Sequence, residues 1–140
     1  TNIGINVIKP EPSTSLLTWM AAQQDDDLYI SAMTIAEIHR GILEKSPGKK
    51  RNALEAWFTG PEGPLVLFVG RILPFDDRAA LLWAKLMAQG KAVGRPRNGF
   101  DMIIAAIAGA NDCLLVTDNE RDFAGLEVFN PMRGVRISSE

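Results

Sequence analysis

Apolar residues recur along this chain in two periods, and the elements follow from them. Leu16, Leu17 and Met20 form a stripe behind Ser13, a residue able to cap a helix, so the spacing predicts a helix over 13–24, with Asp25–Asp27 as the turn after it. LYIS (28–31) predicts a strand. Beyond it Ile35, Ile38 and Ile42 keep helical spacing in a helix that starts at about Thr34. Another face of that helix carries Thr34, Glu37 and Gly41, three and four residues apart, and the glycine leaves space beside Glu37. GKKRNALEAWF (48–58) reads as a further helix, ended by the loop TGPEGP (59–64).

An apolar stretch, LVLFVG (65–70), precedes a short strand RILPF (71–75). Asp76 then caps the helix DDRAALLWAKLMAQG (76–90), and KAVGRPRNG (91–99) is a basic loop. The next helix opens at Asp101, and its run MIIAAIAGA is apolar on nearly every side, so it is expected to lie buried against a sheet. CLLVT (113–117) is the clearest buried strand, DNERDF (118–123) a polar turn with room for a short helix, and LEVFN (126–130) a further strand. Strands alternating with helices predict an α/β layer fold, and at 140 residues the chain is expected to form one domain over 1–140. There is no internal repeat and no low-complexity segment.

Composition narrows the chemistry. One histidine (His39) and one cysteine (Cys113) leave a thiol–imidazole pair or a soft zinc cage dependent on both singletons coinciding, so hard oxygen ligands are what remains. A single cysteine cannot close an internal disulfide, no apolar run approaches the roughly 18–20 residues of a membrane span, and no basic start leads into an apolar signal core. A cytoplasmic protein with no membrane association is therefore expected. The net charge of −2 argues against a surface that coats nucleic acid generally, yet the cations cluster, Lys49, Lys50 and Arg51 in one run and Lys91, Arg95 and Arg97 in another.

Three carboxylates stand at the mouths of apolar segments: Glu37, Asp101 and Asp122. Glu37 and Asp122 both lie a few residues beyond predicted strand ends, where ligands of open α/β sheets bind. Converging carboxylates repel and raise one another's pKa, a penalty that a divalent cation removes; Mg²⁺ or Mn²⁺ suits such oxygen ligands and serves hydrolysis of a phosphodiester. Each residue also has a plainer account. Glu37 reads as a solvated residue of an amphipathic helix, Asp101 as the acidic first turn favoured by the helix dipole, and Asp122 as a cap, with Asp118 and Asn119 as turn formers. His39 reads as a surface or interface residue, Trp19, Trp57 and Trp83 as core or interface packing, and Lys49–Arg51 as a solvated helix start.

Several segments in order carry a resemblance that helps decide. Thr1-Asn2 followed by Lys9–Pro12, ISAMTIAEIHRGI (30–42), GRILPFD (70–76), GRP (94–96), FDMIIAAIA (100–108) and LVTDNERDFAGL (115–126) together resemble the PIN domains of the VapC toxin group, in its FitB-like branch. The likeness extends over nearly all of the chain, and the combination is far more specific than any one string. It implies a three-layer α/β/α fold with a small parallel sheet flanked by helices, and a metal-dependent endoribonuclease that is the toxin half of a type II toxin–antitoxin pair. The family gathers four acids around Mg²⁺ or Mn²⁺. By position Glu37 is the second, Asp101 the third and Asp122 the fourth, with Thr117 and Asn119 as supporting polar positions and Arg40, Arg95 and Arg97 as candidates for RNA phosphates. A homodimer and a VapB-like antitoxin, whose peptide lies in the active-site groove, are implied as partners, and an apolar helical face that includes Trp19, Trp57 and Trp83 is a candidate to receive that peptide.

The departure from the family lies at the start. Relatives carry a short apolar strand ending in an Asp directly before the Thr-Asn pair, whereas this sequence opens at Thr1, so the first acid and the first strand are expected to be missing. Asn6 also stands where relatives often have an acid. Two functions of different class follow: an active ribonuclease, or a degenerate PIN domain that dimerises and binds an antitoxin without cutting RNA. A flavodoxin-like phosphoryl-transfer receiver fits the order of the acids poorly.

Overall fold

The computed structural model describes residues 3–5, 28–116, 123–126, 128–130 and 135–137. Its six-stranded sheet has the order β3-β2-β1-β4-β5-β6, built from β1 (Ile3–Ile5), β2 (Leu28–Ser31), β3 (Ile72–Leu73), β4 (Leu114–Val116), β5 (Val128–Asn130) and β6 (Val135–Ile137). All neighbours run parallel except β6, which returns antiparallel along β5. The helices are α1 (Ala32–Leu43), α2 (Lys49–Thr59), α3 (Pro64–Leu67), α4 (Asp77–Ala92) and α5 (Gly99–Ala110).

The two faces of the sheet are covered separately, because successive strand residues point to opposite sides. On β4, Val116 packs with Leu28, Ile30, Ile38, Ile42, Phe58 and Phe68 in a cluster built with α1 and α2. Its neighbour Leu115 packs with Leu86, Met102, Ile104 and Phe123 in a second cluster, built with α4 and α5. These two cores make the three layers. The expected burial of α5 is observed, with Met102 and the whole run Ile104–Ala108 buried. Burying Ile104 and Ile107 contributes about 1.5–3 kcal/mol each. Close approach of α4 and α5 rests on Gly109, where a Cβ would stand 2.7 Å from Leu82 Cδ2.

Several boundaries differ from the sequence reading. The central position of the sheet is filled: β1 pairs Ile3 with Leu28 on one side and with Leu114 on the other. The expectation of a missing first strand is corrected to that extent, since the strand forms from residues after the Thr-Asn pair rather than before it. The physical reason is that an open slot between β2 and β4 would leave two rows of backbone groups unpaired inside a parallel sheet, and Ile-Gly-Ile pairs with both. Helix α1 begins at Ala32 rather than Thr34, because Ser31 ends β2 and caps the helix at once: its Oγ accepts from the Thr34 backbone N–H at 2.9 Å. Helix α4 passes through Gly90 to Ala92, a position the sequence marked as a stop. The strand at 71–75 shrinks to Ile72–Leu73, the described strand residues of 113–117 and 126–130 are Leu114–Val116 and Val128–Asn130, and part of the apolar stretch before β3 forms the short helix α3. Strand β6 was not foreseen, being three residues set among turn formers near the end of the sequence. The predicted helix over 13–24 and the acidic turn after it lie outside the described residues.

Candidate metal centre

The strand order places a crevice beyond the carboxyl ends of β1 and β4. From β1 the chain builds outward to β2 and β3 on one side, then crosses to β4 and β5 on the other, and ligands of open α/β sheets bind at such a switch. Helix α1 starts directly from the end of β2, and α5 runs into β4 through the short link Asn111–Cys113. A helix joined to a parallel strand by so short a connection runs back against it, which brings the N-terminal turns of α1 and α5 to the same edge of the sheet.

Both helix starts are locked by side chains. Ser31 Oγ, besides capping α1, lies 2.8 Å from Thr34 Oγ1, and both residues are buried. Glu37 follows one turn later on the same face. Asn98 caps α5, its Oδ1 accepting from the Asp101 backbone N–H at 3.0 Å. The Trp83 indole N–H donates to the Gly99 carbonyl at 2.9 Å, tying the same turn to α4. The capping roles of Ser31 and Asn98 escaped the sequence reading, although Ser31-x-x-Thr34 and Asn98-x-x-Asp101 both have the spacing at which an N-cap side chain meets the third helical residue.

Glu37 and Asp101 are brought together. Burial first, and then the negative charge of Asp101, push the Glu37 carboxyl above the ordinary Glu value, with the Arg40 guanidinium pulling the other way. Asp101 is itself 8% exposed. The Oε2 atom of Glu37 is buried and has no hydrogen-bond partner among the described residues. A buried carboxylate oxygen left without a donor, with a second carboxylate in electrostatic reach, fits a hard divalent cation: two acidic oxygen donors, no soft ligand, and a repulsion that positive charge relieves. Among the described residues no group of three or more His, Cys, Asp or Glu side chains converges. The remaining expected ligand, Asp122, and the supporting Thr117 and Asn119 lie outside the described residues.

The candidate phosphate contacts divide. Arg40 is exposed and pairs with Glu44 at 3.0 Å, a solvent-screened pair that adds little stability. Arg95 is exposed on the α4–α5 loop. Arg97 is half-buried and its Nη1 donates to the Leu86 carbonyl at 2.7 Å, so this guanidinium is turned onto the protein. Lys49 and Lys50 are exposed at the start of α2, as expected of a solvated helix start, whereas Arg51 is half-buried and its Nη1 donates to the Lys45 carbonyl at 3.4 Å. His39 lies on the surface stacked on Phe58, ring centroids 4.7 Å apart. Of the tryptophans, Trp83 is built into the α4–α5 contact and Trp57 is partly exposed, while Trp19 lies outside the described residues.

A mostly parallel sheet with this switch and an acidic pair at its carboxyl edge is an open α/β fold with a candidate site for a cation. Residues 1–127 match the family described as PIN domain, and the chain belongs to that family. Within it the chain falls in the VapC-type, FitB-like toxin group. The VapC ribonuclease Y4jK of Sinorhizobium fredii is 37% identical over 133 residues, covering 94% of this chain and 94% of that protein. Toxin FitB of Neisseria gonorrhoeae is 33% identical, again over 94% of each. Among solved structures, FitAB bound to a DNA fragment matches with a TM-score of 0.79 at 31% identity, over 92% of this chain and 94% of that one. Among the described residues no helix is long and apolar enough to cross a membrane.

Proposed function

We propose that the chain is a metal-dependent endoribonuclease, the toxin component of a type II toxin–antitoxin pair. The observation that carries this reading is the buried Oε2 of Glu37, which has no partner among the described residues and lies within electrostatic reach of Asp101. Glu37 and Asp101 would hold Mg²⁺ or Mn²⁺, joined by Asp122, with Thr117 and Asn119 supporting the last acid. When bound, the ion supplies the Lewis acidity that activates water against an RNA phosphodiester. The protein's own part is to present charged carboxylates from two capped helix starts, so that neither has to be ordered when the substrate arrives. Arg40 and Arg95, both exposed, would meet phosphates of the RNA.

A VapB-like antitoxin is the proposed protein partner and a homodimer the proposed assembly. Support comes from the relatives' names and from FitAB, a two-component complex that matches this chain over nearly its full length. The second reading, a non-catalytic PIN domain retained for antitoxin binding, is favoured by one observation. The central strand, Ile3–Ile5, carries no acid, and the residue that follows it is Asn6, an amide.

One experiment separates the two. The purified chain is incubated with structured RNA and Mn²⁺, with Asp101→Asn alongside. Cleavage that requires the metal and drops at least about 100-fold in the variant supports the ribonuclease. No cleavage together with no Mn²⁺ binding by calorimetry supports the binding module.

A further inference from the structure

We propose that Trp83 is a positioning residue for the acidic pair: its indole N–H fixes the first turn of α5, and with it the place at which Asp101 stands relative to Glu37 at the edge of the sheet. The proposal rests on the metal-site reading for its functional half only. The bond is direct, Trp83 Nε1 donating to the Gly99 carbonyl at 2.9 Å. Gly99 is the first residue of α5 and Asp101 the third. The indole therefore grips the helix within the same turn that carries the carboxylate. Asp101 is 8% exposed and its charge reaches Glu37, so a shift of this turn is felt by both acids.

Helix α5 needs such a bond because the rest of its surface is apolar. Met102 and the run Ile104 to Ala108 are buried, and burial of this kind is non-directional: it holds a helix against its neighbours without setting its position along its own axis. Two adjacent residues of α4 supply that setting. Leu82 lies against the far end of α5, where a Cβ at Gly109 would stand 2.7 Å from its Cδ2, while Trp83 bonds to the near end at Gly99. The turn is also closed from within, the Asn98 side chain accepting from the Asp101 N–H and the Asn98 carbonyl from the Met102 N–H, each at 3.0 Å. Those bonds shape the turn, whereas the Trp83 bond reaches it from another helix. A backbone carbonyl has two lone pairs, so the Gly99 oxygen can take the indole as well as serve its own helix, and a half-buried indole N–H gains the partner it needs.

The test replaces Trp83 by benzothienylalanine, which keeps the ring shape and puts sulfur where the N–H was, with Trp83→Phe as a second variant. Phe68→Leu serves as a control for lost stability, because Phe68 is buried in the other core, beneath an Arg71 guanidinium that bonds to the Leu28 carbonyl at the start of β2. Two quantities are read on the full chain: hydrogen exchange at the Met102 amide without metal, and Mn²⁺ affinity by calorimetry. Losing one neutral hydrogen bond corresponds to about a fivefold effect, so both Trp83 variants are expected to quicken Met102 exchange and weaken Mn²⁺ by about that factor, while Phe68→Leu binds Mn²⁺ as the parent does. Met102 exchange unchanged in both Trp83 variants overturns the grip on the turn. An effect in Trp83→Phe that the isostere lacks belongs to ring packing and overturns it too. Faster exchange with Mn²⁺ affinity unchanged, or an equal loss of affinity in Phe68→Leu, overturns the functional half. Should the parent chain itself bind no Mn²⁺, the metal-site reading fails, and Met102 exchange still decides whether the indole sets the turn.

Discussion

The carboxyl groups of Glu37 and Asp101, on helices separated by more than half of the described chain, lie within reach of each other's charge, and burial and that charge together raise the Glu37 pKa. Folding has thus placed two carboxyl groups near each other at the edge of the sheet, with one buried oxygen of Glu37 unpartnered among the described residues. Such an arrangement stores electrostatic free energy that a bound cation releases, and its consequences are measurable without substrate.

The first consequence concerns pH. With its pKa raised on folding, Glu37 holds a proton in the native state that the unfolded chain has already lost, over the window from the ordinary Glu value up to the raised one. Stability of the metal-free protein should therefore fall as pH rises through that window. Glu37→Gln removes the titration, so denaturant curves should show the variant more stable than the parent near pH 7 and the difference shrinking toward pH 4. A parent chain that gains stability across the same interval would contradict the assignment. Mn²⁺ affinity should move the other way and rise with pH, because binding must displace the Glu37 proton.

The cap of α1 should be costly to remove. Ser31→Ala deletes the bond to the Thr34 backbone and strands a buried Thr34 hydroxyl, for an expected loss of about 1–2 kcal/mol in urea unfolding. Because the same cap sets the start of the helix that carries Glu37, metal affinity should drop with it.

For α5 the comparison of two substitutions is informative. Asn98→Ala removes the side chain that receives the Asp101 backbone N–H and should cost about 1 kcal/mol, whereas Asn98→Gly, which leaves the cap open to water, should cost only a few tenths. Thermal melts of the two variants should keep that order.

Gly90→Ala tests by its sign the close approach of the Arg95 carbonyl and the Arg97 stem, which a Cβ at Gly90 would meet at 2.9 and 3.0 Å. In an unobstructed helix interior this change stabilises by roughly 0.5–1 kcal/mol. Here the new methyl group would press on the Arg95 carbonyl and the Arg97 stem, so a loss of about 1 kcal/mol or more is expected. A raised melting temperature would mean that the loop yields freely.

Much of this was legible before folding was considered. The stripe Ile35, Ile38 and Ile42 marked α1, the all-round apolar run after Asp101 marked a buried helix, and Asp76 was read correctly as a cap. Two misreadings are local. Ser31 looked like the end of a strand and is also a cap; Gly90 looked like a stop and lies inside α4, because what needs a glycine there is the loop leaving α4, which folds back to set the Arg95 carbonyl and the Arg97 stem against it. The centre of the sheet was expected to be missing, yet Ile3–Ile5 occupies it, since pairing on both sides is decided by the strands that await a partner rather than by the segment's own pattern.

By itself the sequence determined the outlines of α1, α2, α4 and α5 and of β2 to β5, and it named the candidate acids, because periodicity and residue chemistry act over a few positions at a time. That Glu37 and Asp101 lie within reach of each other's charge, and that Arg97 turns inward while Arg40 and Arg95 face solvent, only the tertiary structure decided. Those relations depend on the order in which parallel strands assemble and on which helix ends that order brings side by side, and neither is written in local spacing.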